Sequence, residues 1–366
     1  MKTYFMKQII SLLLTAFCVI ILSDNAAAQG CVAIRSTGGI CTMEHSNSEN
    51  HSKWVLNVNN RYFKSFRHFV GTKEQKQRVE NGSEVINHSY TLDLTLTRNL
   101  NKWWSFSVDI PVVANSRSSL YEHDRKNRFS THSFGLGDVR LSAYRWVFDP
   151  AKSSKGNIQL GLGIKLPTGD YNYKDVFHKN DSTLVLGPVD QSIQLGDGGT
   201  GISTELNAYY NFSKSVSFYG NLYYLVSPRE QNGTLSSRGS APSESSIRNG
   251  SFVMSVPDQY MLRAGMNFTS KALTASLGFR DECLPAKDLI GGSKGFRRPG
   301  YILSVEPGIT YNFKKMNVYA YVPVALERNR TQSVADEYQT QTTGVFTQGD
   351  AAFADYTVNI GCSIRF

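Results

Sequence analysis

Hydrophobic and polar positions alternate along much of the chain, and nowhere more strictly than at its end. In FADYTVNIGCSIRF (353–366), Tyr356, Val358, Ile360, Cys362, Ile364 and Phe366 share one side, and Thr357, Asn359, Gly361, Ser363 and Arg365 the other. A period of two over this length is a β-strand with one apolar and one polar face. The same alternation sets Tyr90, Leu92, Leu94 and Leu96 against Thr91, Asp93, Thr95 and Thr97. It also sets Val318, Ala320, Val322, Val324 and Leu326 against Tyr319, Tyr321, Pro323 and Glu327. Twelve strands are predicted, near 54–64, 86–99, 103–113, 132–147, 157–167, 201–212, 215–227, 259–269, 271–280, 300–313, 316–328 and 353–366. The fourth changes phase at Gly137-Asp138, which a β-bulge would reconcile.

The connections narrow the architecture. Short turns at 100–102, 149–156, 213–214, 270 and 314–315 alternate with long polar stretches at 65–85, 114–131, 168–200, 228–258, 281–299 and 329–352. A soluble sandwich has no reason to keep this rhythm. A transmembrane antiparallel β-barrel does, with short periplasmic turns, long extracellular loops, lipid on the apolar faces and a lumen on the polar ones. The expected class is therefore all-β, a barrel of about twelve strands, with both termini periplasmic and strand twelve closing on strand one.

Targeting and composition change little in this picture. Lys2 and Lys7, the apolar run Ile9–Leu22 and Ala26-Ala27-Ala28 read as a secretory signal over 1–28. A membrane anchor is the other reading, but that run is short for a spanning helix. Cys31 raises a lipoprotein reading, for which Ala28-Gln29-Gly30 is a poor cleavage box. Residues 29–52 are expected to form a periplasmic or lumen-plugging segment, where Cys31 and Cys41 should form a disulfide as a structural staple in an oxidising compartment. Residues 53–366 make the barrel. A mean hydropathy of −0.31 does not argue against it, because half-lipid-facing strands dilute the signal. Aromatic residues make up 12 % of the chain, fitting two interfacial girdles, with Trp54, Trp103, Trp104 and Trp146 as anchors at the periplasmic ends. The net charge of +9 comes from scattered Lys and Arg without a basic block, so nucleic acid is not an expected partner.

Four motifs, in order, carry a family resemblance: Phe134-Gly-Leu-Gly-Asp-Val-Arg-Leu141 with Tyr144; Gly161-Leu-Gly-Ile-Lys-Leu-Pro-Thr-Gly-Asp170; Gln194-Leu-Gly-Asp-Gly198; and Val305-Glu-Pro-Gly-Ile-Thr310 followed by Tyr321–Ser333. Together they resemble the outer-membrane barrel family named after the meta pathway of phenol degradation, loosely akin to the long-chain fatty-acid and aromatic-hydrocarbon transporters. The resemblance spans about 54–366. It implies the outer membrane of a Gram-negative bacterium, passage of small hydrophobic compounds, and no catalytic residue or cofactor. The terminal Phe366 resembles the signal by which barrel-assembly machinery recognises its clients.

Candidate residues are charges and tyrosines on the predicted lumen face: Asp138, Arg140, Arg263, Glu306, Glu327, Tyr209, Tyr219 and Tyr319. Charged groups at membrane depth need water or each other. They serve either as a lining that shapes passage or as a salt-bridged core that rigidifies a closed barrel. Glu306 and Glu327, on adjacent strands, would need a cation or an arginine such as Arg263 between them. His88-Ser89 and His132-Ser133 point to opposite faces and cannot pair as base and nucleophile, so no enzyme is expected. Loop acids such as Asp175, Asp181 and Asp190 show no calcium-loop spacing and read as solvated surface, so no metal is expected. Two readings remain: a passive channel or transporter for small hydrophobic or amphipathic compounds, and a non-transporting structural or surface-binding barrel.

Overall fold

A computed structural model describes residues 53–366. The signal, the segment 29–52 and the Cys31–Cys41 pair lie outside the described residues. The chain forms one closed antiparallel barrel of twelve strands: β1 (Trp54–Val70), β2 (Ile86–Asn99), β3 (Trp104–Ser119), β4 (Phe129–Leu136 and Arg140–Trp146), β5 (Gly156–Lys165), β6 (Gly201–Asn211), β7 (Val216–Val226), β8 (Gln259–Ser270), β9 (Leu273–Leu284), β10 (Gly300–Asn312), β11 (Met316–Tyr321 and Val324–Arg330) and β12 (Ala351–Arg365). Each strand pairs with its sequence neighbours. β12 closes on β1 from Val55↔Arg365 to Phe69↔Ala351, and the Trp54 and Phe366 amides exchange hydrogen bonds of 3.1 and 3.0 Å. Closure satisfies the strand edges, which unpaired backbone in lipid could not tolerate. Among the described residues no helix is long and apolar enough to cross a membrane, so any crossing falls to the strands.

The alternation sorts the faces. Leu160, Leu162, Ile164, Leu277, Ile309 and Ile360 point outward and are exposed, while Asn59, Thr91, Asn207, Ser276 and Asn359 point inward and are buried. Outward aromatics form two rings. Trp104, Phe212, Phe268, Phe313 and Phe366 mark the short-turn end; Tyr62, Tyr90, Phe134 and Tyr356 lie farther up the wall. Some eight to ten residues separate the rings along a strand, or roughly 20–25 Å at the usual rise and tilt. This matches the apolar band of a membrane barrel. All four tryptophans lie at the short-turn end, where Arg98 sits over Trp54 at 5.3 Å and Arg145 over Trp104 at 5.7 Å. The short turns cap themselves: the Asn101 side chain accepts from the Trp103 and Trp104 amides, and Lys271 takes a positive φ of 53° in the two-residue β8–β9 turn.

Several strands run further outward than their hydrophobic period does. β1 continues to Val70, β3 to Ser119 and β9 to Leu284. Above the upper ring the outer face meets no lipid, and the apolar-polar contrast that betrays a strand fades while the backbone ladder continues. Two strands are interrupted, both at prolines. β4 loses its ladder over Gly137–Val139, opposite Pro111, where two residues of β3 face three of β4. β11 breaks between Tyr321 and Val324, around Pro323 and opposite Pro307. A proline has no amide to donate, so a bulge or gap is what the ladder can accommodate there.

Candidate functional site: the lumen and its mouth

The lumen has two zones. Towards the short-turn end its inward side chains are mainly amides, hydroxyls, tyrosines and glycines, with Arg365 among them: Asn57, Ser107, Asn157, Asn207, Asn221, Thr310 and Asn317 are representative. Many bond to one another, as in Asn221 Nδ2 to Asn207 Oδ1 at 2.7 Å and Ser276 Oγ to Asn267 Oδ1 at 2.7 Å. The tyrosines lie over glycines of the next strand or the one beyond. A Cβ added to Gly308 would sit 2.1 Å from a Tyr321 ring carbon, one on Gly278 2.4 Å from the Tyr219 hydroxyl, and one on Gly361 2.5 Å from the Tyr319 hydroxyl. Glycine at these places lets a large ring lie along the wall rather than project towards the axis.

Above this zone is a belt of charge. Arg61, Asp93, Asp109, Asp138, Arg140, Lys165, Arg263, Arg280, Glu282 and Glu306 are all buried, with Glu205 half-buried among them. Glu306 is fully buried between two arginines. Arg263 Nε donates to its Oε1 at 2.9 Å, a second Arg263 nitrogen donates to the same oxygen, and Arg280 donates to its Oε2 at 3.2 Å. Arg280 also bonds Glu282 at 2.7 Å. On the opposite wall the bulge at Gly137–Val139 turns Asp138 inward. There it accepts from Lys165 Nζ at 3.1 Å, from the Gly169 amide at 3.1 Å and from the Asp197 amide at 3.2 Å. Lys165 reaches Asp197 as well. Arg140 lies over the Tyr223 ring at 5.4 Å. Buried charges persist only where paired and hydrogen-bonded, and the two signs cancel around this belt to within one charge.

The mouth is crossed by the β5–β6 connection. Val189, Asp190, Ile193 and Leu195, all buried, run over the lumen. The Ile193 carbonyl accepts from Asn115 of β3 at 3.3 Å and from Ser133 of β4 at 2.5 Å, and the Gln191 amide reaches the Ser255 carbonyl across the mouth at 3.0 Å. Asp190 carries the densest set of contacts: Arg298 is bidentate at 2.8 and 2.7 Å, Arg238 donates at 2.5 Å and Arg117 stands at 3.5 Å. Glu122 shares Arg117 at 2.7 Å and Arg238 at 3.0 Å. Burial raises the Asp190 pKa, but the three arginines overrule it and hold the carboxyl well below its ordinary range; Glu122 is lowered by the same balance. Beneath this arm is a cavity of about 70 Å³, lined by Asp138, Arg140, Lys165, Asp197, Asn232 and Met254 among others. That is room for a few waters but not for an organic solute.

No family model and no curated protein matches the chain. Solved structures do. An outer-membrane channel from Pseudomonas putida F1 aligns at a TM-score of 0.56 and 10 % identity, over 87 % of this chain and 97 % of that one. What the two share is the fold. The Pseudomonas putida toluene transporter TodX aligns at 0.45 and 8 % identity, over 93 % and 96 % of the two chains. A Pseudomonas aeruginosa FadL homologue aligns at 0.42 and 7 % identity over the same shares.

The expected lumen residues fall into three groups. Asp138, Arg140, Arg263, Glu306, Tyr219 and Tyr319 point inward and are buried, and the Tyr319 hydroxyl donates to Asn57 at 2.9 Å. Tyr209 points inward but only half-buried at the short-turn end, its hydroxyl on the Ser153 carbonyl at 3.2 Å. Glu327 is a correction: it points outward, is exposed, and accepts from the Tyr301 hydroxyl on the outer wall. The β10–β11 register slips between Leu303↔Glu327 and Ser304↔Ala325, and the extra residue turns Glu327 out and Arg328 in. Glu306 and Glu327 therefore do not face each other, and Arg263 serves Glu306 alone of the two. Asp190 is the second correction, since it is enclosed by arginines rather than solvated. Asp175 accepts from the His132 amide at 2.6 Å, while Asp181 is exposed. Glu122, Arg238 and Arg298 are not legible in the sequence because loops carry no period that signals which side chains turn inward, and Arg117 is not because it lies on the outer extension of β3, where the apolar-polar contrast has faded.

Proposed function

We propose that this protein is a passive outer-membrane channel for small, uncharged, amphipathic molecules. The observation that supports this best is the lining: a charge-cancelled belt above an amide-and-tyrosine zone, inside a shell with two aromatic rings. Near-neutral walls give ions of either sign little advantage. Tyrosine rings offer apolar surface to a solute's hydrocarbon part, and the Asn, Ser and Thr groups offer hydrogen bonds to its polar part. A wholly apolar molecule would strip water from those amides and hydroxyls without replacing it, which narrows the solute class to the amphipathic side. Asp138, Arg140, Arg263, Glu306, Tyr209, Tyr219 and Tyr319 form the path; Phe366, in phase with the lipid face, is the end presented for assembly. Uptake of a small aromatic alcohol by cells with and without the gene tests this. Faster uptake with the protein present is expected. Equal uptake, with the folded barrel abundant in the membrane, would favour the structural reading instead.

A further inference from the structure

The arm that crosses the mouth leaves and rejoins the barrel at almost the same place. The Leu195 amide donates to the Asp170 carbonyl at 3.2 Å, and a Cβ on Gly169 would lie 2.8 Å from the Gly196 amide nitrogen. The excursion between them is therefore closed at its base and free to be held, or released, by what grips its far part. Barrel-wall contacts hold one side of it, through the Ile193 carbonyl. The other side is gripped by Arg238 from the β7–β8 connection and Arg298 from the β9–β10 connection, both on Asp190. Three arginines meet the carboxylates of Asp190 and Glu122, an excess of one positive charge. Arg238 and Arg298 keep 18 % and 12 % of their side chains exposed, whereas Asp190 has none. The grip is thus reachable from outside, on elements other than the arm it restrains.

We infer that Asp190 and its arginines are a latch that holds the β5–β6 arm across the lumen, and that passage requires the latch to release. The inference rests on the channel reading and adds the gate to it. Release needs no change in the barrel wall: breaking the bonds from Arg238 and Arg298, with the Gln191–Ser255 and Tyr171–Thr234 bonds on the same side, frees that side of a segment whose base is already closed. Loss of several charge-assisted bonds specific to the shut state shifts the shut–open balance by roughly tenfold or more.

The test is single-channel conductance of the full-length protein in planar bilayers, with heat-modifiable migration confirming a folded barrel. Asp190→Asn removes the gripped charge. Arg298→Gln is the second variant, because it removes the bidentate bond while bringing the cluster to neutrality, and so spares the loops an uncompensated cation. A third variant excises 171–194, joining the hydrogen-bonded base with a two-residue linker. The latch predicts a wild type that is mostly shut, with open probability at least about tenfold higher in Asp190→Asn and Arg298→Gln, and higher again in the excised form. If the excised form conducts and both point variants stay at the wild-type level, the latch is overturned and the channel reading stands. If the wild type conducts as freely as the excised form, the arm is no gate. If none conducts, the excised form included, the channel reading falls and the latch with it.

Discussion

Glu306 is the residue whose loss says most about the lumen. It is wholly enclosed, and it is the only carboxylate hydrogen-bonded to both Arg263 and Arg280 among the bonds described. Glu306→Gln keeps the shape and removes the charge. Arg280 keeps Glu282 at 2.7 Å, but Arg263 loses its described carboxylate partner. Breaking one side of a buried, hydrogen-bonded pair costs about 3–5 kcal/mol, most of it the penalty for leaving a cation buried. With a urea slope of about 2–3 kcal/mol per M, the unfolding midpoint should fall by roughly 1–2.5 M. The assay is urea unfolding of the refolded barrel in detergent micelles, followed by tryptophan fluorescence and heat-modifiable migration. Adding Arg263→Gln to Glu306→Gln should recover part of the loss, since it removes the cation that Glu306 balances. A loss below about 1 kcal/mol would refute the reasoning, because it is the value of an ion pair in open water. It would mean that bulk-like solvent reaches the belt.

Gly308→Val should force the Tyr321 ring off the wall, costing about 1–3 kcal/mol in stability and lowering the conductance of a latch-free variant; unchanged conductance would show that the ring does not border the path. The mouth should be insensitive to mild acid: Asp190 and Glu122 have depressed folded pKa values, so their contribution is fully present above the ordinary carboxylate range and is lost only as pH falls through the lowered values. Conductance rising already near pH 5 would contradict that sign. Cys362 points to the lipid face while Cys283 is buried near the outer end of β9. In folded protein a lipid-soluble thiol reagent should therefore label Cys362 and spare Cys283, as mass mapping would reveal.

The legibility of this chain follows the contrast between lipid and lumen. In β12 every outward residue from Tyr356 to Phe366 faces a different medium from its neighbours, so composition alone reports the strand, its phase and its closure on β1. At Gly137-Asp138 the phase change was visible because both flanking halves are long enough to set a phase of their own. In the outer half of β11 the stretch Val324–Arg330 is too short, and too rich in polar residues on both faces, for the slip at Leu326-Glu327 to register. The period of β11 therefore points Glu327 to the wrong face. Asp190 failed for another reason: a loop acid looks solvated unless its partners are known. Those partners come from two connections and the outer end of β3, separated from it by between about 50 and 110 residues.

The central claim is that a near-neutral, tyrosine-lined lumen passes small uncharged amphipathic solutes. Liposome swelling with the purified barrel, using the form lacking 171–194 so that the mouth is no obstacle, tests it most directly. The account predicts that an uncharged aromatic alcohol drives swelling several-fold faster than a carboxylate or an amine of equal size, with the two ions nearly equal to each other. Swelling no faster than in protein-free liposomes, or a marked preference for one ion, would contradict it.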